Sequence, residues 1–426
     1  MYEIAKTWML AFVLLACICT DGAAALKDDI DAIIRRTSQQ NVVFSVQVVR
    51  ADTGRVVYQH NASTPLIPAS TMKLVTSAAA LSILGADFQY VTQVGLAGDD
   101  LVIIGSGDPL LGDRINDERA GKPIGWVLDD IVQRLLDHGT TRIENIIVDS
   151  TVFDDERFHP SWPQNQLHRW YAAEVSGLNF YGNCVEILAR NTGGPKAELT
   201  VRPATSYVTI TNNTQVSTSG QNTIGFWRRQ GSNHVIATGR CRRETAWMRI
   251  TIDRPPAFFG TLIAERLNQA GIETLGYLVE KTAPERNVNI IATYSTPLAD
   301  VLARCNKDSL GLAAECLMKT LGARASGGRG GSWESGRAEV ARFLTSLGVS
   351  ADEFIIDDGG GLSNRNRLSA NALTRVLLSM YRTKDWPAIR DSLAVGGVDG
   401  TAARWFREPG YRGRILGKTG YIAGVK

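Results

Sequence analysis

Residues 66–81 read LIPASTMKLVTSAAAL, and this stretch constrains the chain more than any other. Leu74, Val75, Ala78, Ala79, Ala80 and Leu81 recur at helical spacing, so a helix beginning near Ser70 has an apolar side that the rest of the chain must cover. Ser70 and Lys73 stand at its mouth. Chance alone puts about one or two Ser-x-x-Lys pairs in a chain this long, and such a serine commonly caps the helix while the lysine stays in water. The pair also permits chemistry. Positions i and i+3 share a helix face, so the amine reaches the hydroxyl, and an amine against an apolar wall loses its proton more readily. Ser70 is then a candidate nucleophile and Lys73 its candidate base.

A second pair of motifs answers the first. The stretch GRILGKTGYIAGVK, residues 413–426, reads as a strand carrying Lys418, Thr419 and Gly420. Beside the Ser70 helix it would complete one site. Lys418 supplies positive charge, the Thr419 hydroxyl can hold a substrate carboxylate, and Gly420 lets a substrate backbone come close. Between them lies CNKDSLGLAAECLMKTLG, residues 305–322, where Ser309 opens a helix. No G-x-S-x-G elbow occurs, and the five histidines sit in no recognisable catalytic motif.

The chain has 426 residues, too many for one small core, and reads as two or three domains. A net charge of +3 without a long Lys/Arg run gives no argument for nucleic acid. At the N-terminus, Lys6, an apolar stretch from Trp8 to Ile18 and Ala23-Ala24-Ala25 read as a secretory signal cleaved near Ala25. Its apolar core is short for a membrane span. A second reading takes Leu14-Leu15-Ala16-Cys17 as a lipoprotein box, with Cys17 lipidated. Of six cysteines, Cys184, Cys241, Cys305 and Cys316 lie beyond this segment, and neither a disulfide framework nor a Cys/His metal cluster is indicated.

Along the chain, residues 42–62 read as a β-hairpin and 88–104 as strand ending in the turn GSGDPLLG. Helical patterns occupy 123–138, 259–270, 296–322, 335–347 and 369–382, with a strand at 143–148. Residues 196–254 read as a small β-rich unit. The aromatic residues at 162–181 serve packing or line a glycan groove. Asp357 and Asp358 read as braces for a turn, and Cys305 and Cys316 as helix packing.

With Ser-x-x-Lys, the Ser309 stretch, Lys-Thr-Gly, GSGDPLL, VSGLNFYGN, DDGGGLSNRNRLS and GGVDGT in this order, the chain resembles the DacB-type D-alanyl-D-alanine carboxypeptidases/endopeptidases, low-molecular-mass class C penicillin-binding proteins. The resemblance runs from about residue 30 to the end. It implies an α/β (α+β) transpeptidase-like domain, helices on an antiparallel sheet, built from residues 26–90 and 285–426. Accessory β-rich domains at 91–284 lie within the gap between Ser70 and Ser309, which are 239 positions apart. It also implies the roles. Ser70 is acylated, Lys73 is the general base, and Ser309 relays protons. Lys418, Thr419, Gly420 and Tyr421 bind substrate, with the backbone N–H groups of Ser70 and Tyr421 as oxyanion hole. Two neighbouring lysines would depress each other's pKa, leaving Lys73 neutral and Lys418 charged. Peptidoglycan stem peptides are the implied substrate, β-lactams the covalent inhibitors, the periplasm or cell envelope the location, and no cofactor or metal is called for.

Three departures stand against the pattern. The family's second-motif Asn falls on Gly311, removing a hydrogen bond worth about 1–3 kcal/mol, with Asn306 as the neighbour able to replace it. Gly360 stands where the family commonly has Ser, with an expected effect on local backbone only. In the family two more antiparallel strands follow the Lys-Thr-Gly strand, so a chain ending at Lys426 reads as a fragment or a truncated product with a bare sheet edge. Two rivals remain: a non-catalytic relative that binds peptidoglycan or a partner protein, and a β-lactamase, against which the long insertion argues.

Overall fold

The computed structural model describes residues 25–36, 39–276, 278–280, 282–283 and 287–422. The expected leader up to residue 24, with Cys17, lies outside the described residues. The described part forms two compact units.

The smaller unit draws on the chain up to Ile67 and on Leu344–Ile355 and Arg367–Lys384. The expected hairpin is here, Val46–Val49 antiparallel to Val56–His60. Phe354–Ile355 pairs with Arg367–Leu368. The helix Ala370–Tyr381 is capped by Ser369, whose Oγ accepts from the Ala372 amide.

The larger unit holds Pro68–Phe343, Ile356–Asn366 and the chain from Asp385 onward. Its core helix, Met72–Leu84, ends at Gly85, φ 86°, and is covered from Met72 through Leu81 on every side rather than on one face. Its alanines allow close approach of two helices, Leu298–Asn306 and Gly311–Ala325. The sequence pattern gave 296–322 as one helix. The structure breaks it at 307–310, where Ser309 takes the left-handed φ of 58°. Buried Arg304 secures the break, donating to Asp113 at 2.9 and 3.0 Å and to Asp308 at 2.7 Å.

Expected β structure appears with partners that propensity could not name. Residues 88–104 form the hairpin of Gln89–Ala97 and Asp100–Ile104. It joins Ile146–Asp149, Leu278–Glu280 and Asn289–Pro297 in a mixed five-stranded sheet. The helices Trp126–Asp137 and Pro255–Gln269 pack in the same hydrophobic core as this sheet. Residues 184–251 supply two three-stranded sheets, in line with the β-rich reading of 196–254. The Lys-Thr-Gly strand is short, Leu416–Gly417 antiparallel to Ala394–Val395.

Candidate active site

Every residue singled out for chemistry lies in the larger unit. Ser70 sits in the 3-10 turn Ala69–Thr71 that leads into the core helix, not within the helix. Ala69 adopts φ 46°, a left-handed conformation that costs an alanine of order 1–3 kcal/mol and is held by its surroundings. Gly361 is part of that hold. Its φ is +77°, and a Cβ there would come within 1.8 Å of the Ala69 carbonyl oxygen.

Lys73 is buried one turn beyond Ser70. Its Nζ donates to Ser70 Oγ at 3.2 Å and to the Gly360 carbonyl at 2.5 Å. Thr76, on the same face, donates to the Gly359 carbonyl at 2.8 Å. From the facing helix, buried Glu315 accepts the Gly359 and Gly360 amides at 2.9 and 2.7 Å and the Trp333 indole N–H at 2.8 Å. Two consecutive peptides are thus gripped by their carbonyls from one helix and by their N–H groups from another. Gly360 therefore does more than shape local backbone. A Cβ on it would lie 2.6 Å from Glu315 Oε1 and 3.3 Å from Lys73 Nζ.

Lys418 Nζ donates to Ser309 Oγ at 3.0 Å and to the Thr419 carbonyl at 2.8 Å. The two Ser–Lys pairs, Ser70–Lys73 and Ser309–Lys418, share one pocket of about 620 Å³ through Ser70, Lys73 and Ser309. The lysines do not depress each other symmetrically. Burial drives the Lys73 pKa down, and the acidic groups Cys305, Glu315 and Asp358 oppose the shift. For Lys418 burial comes first and the Lys73 charge second, and together they bring it to about 7. Burial likewise drives the Glu315 carboxyl up to about 8, with the Asp358 charge adding to it.

Other expectations shift. Ser309 precedes its helix in a left-handed turn instead of opening it. Thr419 Oγ1 donates to Thr401 Oγ1 at 2.8 Å, so a second hydroxyl stands behind the first. Gly420 makes room for the protein's own backbone. A Cβ there would lie 2.8 Å from the Pro68 carbonyl oxygen in the turn before Ser70. Tyr421 lines the pocket with its side chain exposed.

Asn306 does not replace the missing second-motif Asn. It is fully buried, donating to Ser392 Oγ at 2.9 Å and accepting from Ser77 Oγ at 3.3 Å. At Gly311 a Cβ would lie 2.9 Å from the Tyr171 carbonyl oxygen, so the Trp170–Ala172 turn occupies space an Asn side chain would need. Trp170 and Tyr171 line the pocket, whereas Trp162 is buried and donates to Asp358 at 2.9 Å. Asp358 also accepts the Gly361 and Ser363 amides at 2.7 and 2.6 Å, the turn-bracing role read from sequence. Cys305 and Cys316 are buried free thiols, and burial pushes both pKa values up. Glu315 and Thr401 were missed as site residues. Each lies in a quoted motif, but nothing local marks its partner.

The model of the D-Ala-D-Ala carboxypeptidase 3 (S13) family matches residues 26–426. A D-alanyl-D-alanine carboxypeptidase of Actinomadura sp. (strain R39) is 30% identical, over 94% of this chain and 77% of that protein. The crystal structure of penicillin binding protein 4 (dacB) from Haemophilus influenzae has the same fold, with TM-score 0.73 and 22% identity over 89% of this chain and 84% of that one. The same protein complexed with a novel β-lactam gives TM-score 0.69 and 21% identity, over 89% and 83%. With a serine–lysine pair at one pocket and this match across the chain, the protein belongs to the D-Ala-D-Ala carboxypeptidase 3 (S13) family of serine peptidases.

Proposed function

We propose that Ser70 is the acylated nucleophile of this DD-peptidase and that Lys73 is its general base. The 3.2 Å contact between Lys73 Nζ and Ser70 Oγ carries this reading, because burial favours the unprotonated amine that a base requires. Lys73 takes the hydroxyl proton as Ser70 Oγ attacks the carbonyl carbon of the penultimate D-Ala. The oxyanion forms against the backbone N–H groups of Ser70 and Tyr421. The C–N bond to the terminal D-Ala then breaks, and the proton passes through Ser309 to the leaving amine. Water adds to the ester and frees Ser70. The terminal carboxylate is held by Thr419, with Thr401 orienting that hydroxyl, and by Lys418 when protonated.

The substrate is a peptidoglycan stem peptide ending in D-Ala-D-Ala, or the D-Ala cross-link between two stems, and a β-lactam acylates the same serine. Cell-envelope export follows from the N-terminal signal reading. Among the described residues no helix is long and apolar enough to cross a membrane.

The test is the intact mass of the folded protein after incubation with benzylpenicillin, beside Ser70→Ala. One stable drug adduct, lost in the variant, supports the reading. A folded wild-type protein that gains no adduct sinks it and leaves a relative that binds without turnover.

A further inference from the structure

The segment 163–171 is a wall with two wet sides. Pro163, Gln166, Trp170 and Tyr171 face the Ser70 pocket. Gln164, Asn165, Leu167 and His168 face a second cavity of about 660 Å³, completed by residues 227–231. The wall is fixed. Thr251 donates its hydroxyl to the Leu167 carbonyl at 2.8 Å and its amide to the His168 carbonyl at 3.2 Å. The opposite side is fixed too. Buried Arg228 donates to the carbonyls of Thr251 and Ile252 at 2.5 and 2.9 Å and to that of Ser232 at 3.1 Å.

The lining chemistry is selective. Trp227 lies on Gly225–Arg228, an edge strand of its sheet, and is 47% exposed, a large aromatic left half open to water. Around it stand the amides of Gln164, Asn165 and Gln230 and the imidazole of His168, whose pKa is lowered by burial and by Arg169 and Arg228. Among the described residues no carboxylate lines the cavity, whereas Arg228 and Arg229 do. A flat aromatic plane bordered by amides, an imidazole and the two guanidinium groups of Arg228 and Arg229 suits the C–H face and the hydroxyl and acetamido groups of a pyranose.

We propose that this second cavity binds the N-acetylated amino-sugar backbone of peptidoglycan while the attached peptide enters the Ser70 pocket across the 163–171 wall. The inference rests on the DD-peptidase reading above. A glycan strand and its stem peptide are covalently joined, so a substrate seated in one pocket must leave toward a neighbouring surface, and this cavity shares the pocket's wall. Holding both ends at once raises effective concentration without altering the chemistry.

The experiment compares kcat/KM on a free stem pentapeptide with kcat/KM on the same pentapeptide linked to its disaccharide. The wild-type protein should prefer the linked substrate by about tenfold, a factor corresponding to roughly 1.4 kcal/mol. Trp227→Ala and Asn165→Ala should each pull that ratio toward one while leaving the free pentapeptide within about twofold of wild type. Equal rates on both substrates in the wild type, or a ratio preserved in both variants, overturn the proposal. If the wild type cleaves neither substrate, the DD-peptidase reading has failed, and calorimetric titration with a β-1,4-linked N-acetylglucosamine tetramer decides this one separately. Binding lost in Trp227→Ala upholds it. No binding, or heat seen only with a polyanionic wall polymer and abolished by salt, overturns it.

Discussion

Replacing Lys418 with Met should stabilise the protein at low pH while removing its activity. The folded chain holds this ammonium at about 7 instead of its ordinary 10.5, chiefly by burial and secondly by the Lys73 charge. A pKa unit is worth about 1.4 kcal/mol, so the gap sets an upper bound of about 5 kcal/mol on the cost of the charge in the fold. Lys418 is only partly buried, and solvent screening reduces that to about 3–4 kcal/mol. Met also forfeits the bonds to Ser309 Oγ and the Thr419 carbonyl, about 1 kcal/mol each or less. The net expectation at pH 6 is a gain of about 1–3 kcal/mol. The sign follows from a depressed cationic pKa. Between pH 7 and 10.5 the unfolded chain keeps a proton that the folded chain has released, so wild-type stability rises with pH there; below 7 both states hold it and the penalty is constant. The advantage of Lys418→Met should therefore be greatest near pH 6 and vanish by about pH 9.5. Urea midpoints of the two proteins at both pH values measure this, and acylation by benzylpenicillin should fall about 100-fold or more. A variant less stable than wild type at pH 6, or a difference independent of pH, would refute the reasoning.

Three further outcomes are expected. In the wild type, kcat/KM should decline as pH rises past about 7 while kcat holds to higher pH, because a bound carboxylate raises the Lys418 pKa in the complex; pH profiles of both constants check this. Glu315→Gln places an NH₂ against one of three N–H donors and should cost about 1–3 kcal/mol in urea unfolding, with slower acylation as the Gly360 carbonyl shifts from Lys73. Gly420→Ala puts a methyl 2.8 Å from the Pro68 carbonyl oxygen, so the turn carrying Ser70 must move. Acylation should slow at least about tenfold while the circular dichroism spectrum stays that of the wild type.

What could be read in the sequence is what chemistry marks locally. A serine and a lysine one helical turn apart, at the mouth of an alanine-rich apolar run, suggest a shared site, and the structure buries Lys73 with its Nζ 3.2 Å from Ser70 Oγ. Lys-Thr-Gly gained meaning only as the second half of the same site. The misreadings share a different cause. Gly360 is separated by 287 positions from Lys73 and by 45 from Glu315, and nothing in DDGGGLS announces that one lends it a donor and the other an acceptor. Asn306 was credited to the pocket for its proximity in sequence to Ser309, yet the left-handed turn at Ser309 sends the two to different places. Helical periodicity carried 296–322 straight through that turn because the residues that break it, Arg304 with Asp113, lie 191 apart. The strand at residues 89–97 was legible, but its pairing with Asn289–Pro297, far along the chain, was not.

That last pairing bears on how so long a stretch of chain between the Lys73 helix and Ser309 is compatible with their meeting at one pocket. Gln89–Ala97 begins five residues after the helix carrying Lys73 ends, and Asn289–Pro297 leads directly into the helix that positions Ser309. Their antiparallel register, from Gln89 opposite Pro297 to Leu96 opposite Asn289, clamps the departing and returning chain together. The loop-closure entropy of nearly two hundred intervening residues is thereby settled at the ladder and grows only slowly with their number. The helix carrying Lys73 and the helix leading to Ser309 then meet as near neighbours. Residues 98–288 then build the 163–171 wall and the Trp227 cavity from a chain whose two ends are held beside the helices that carry Lys73 and lead to Ser309.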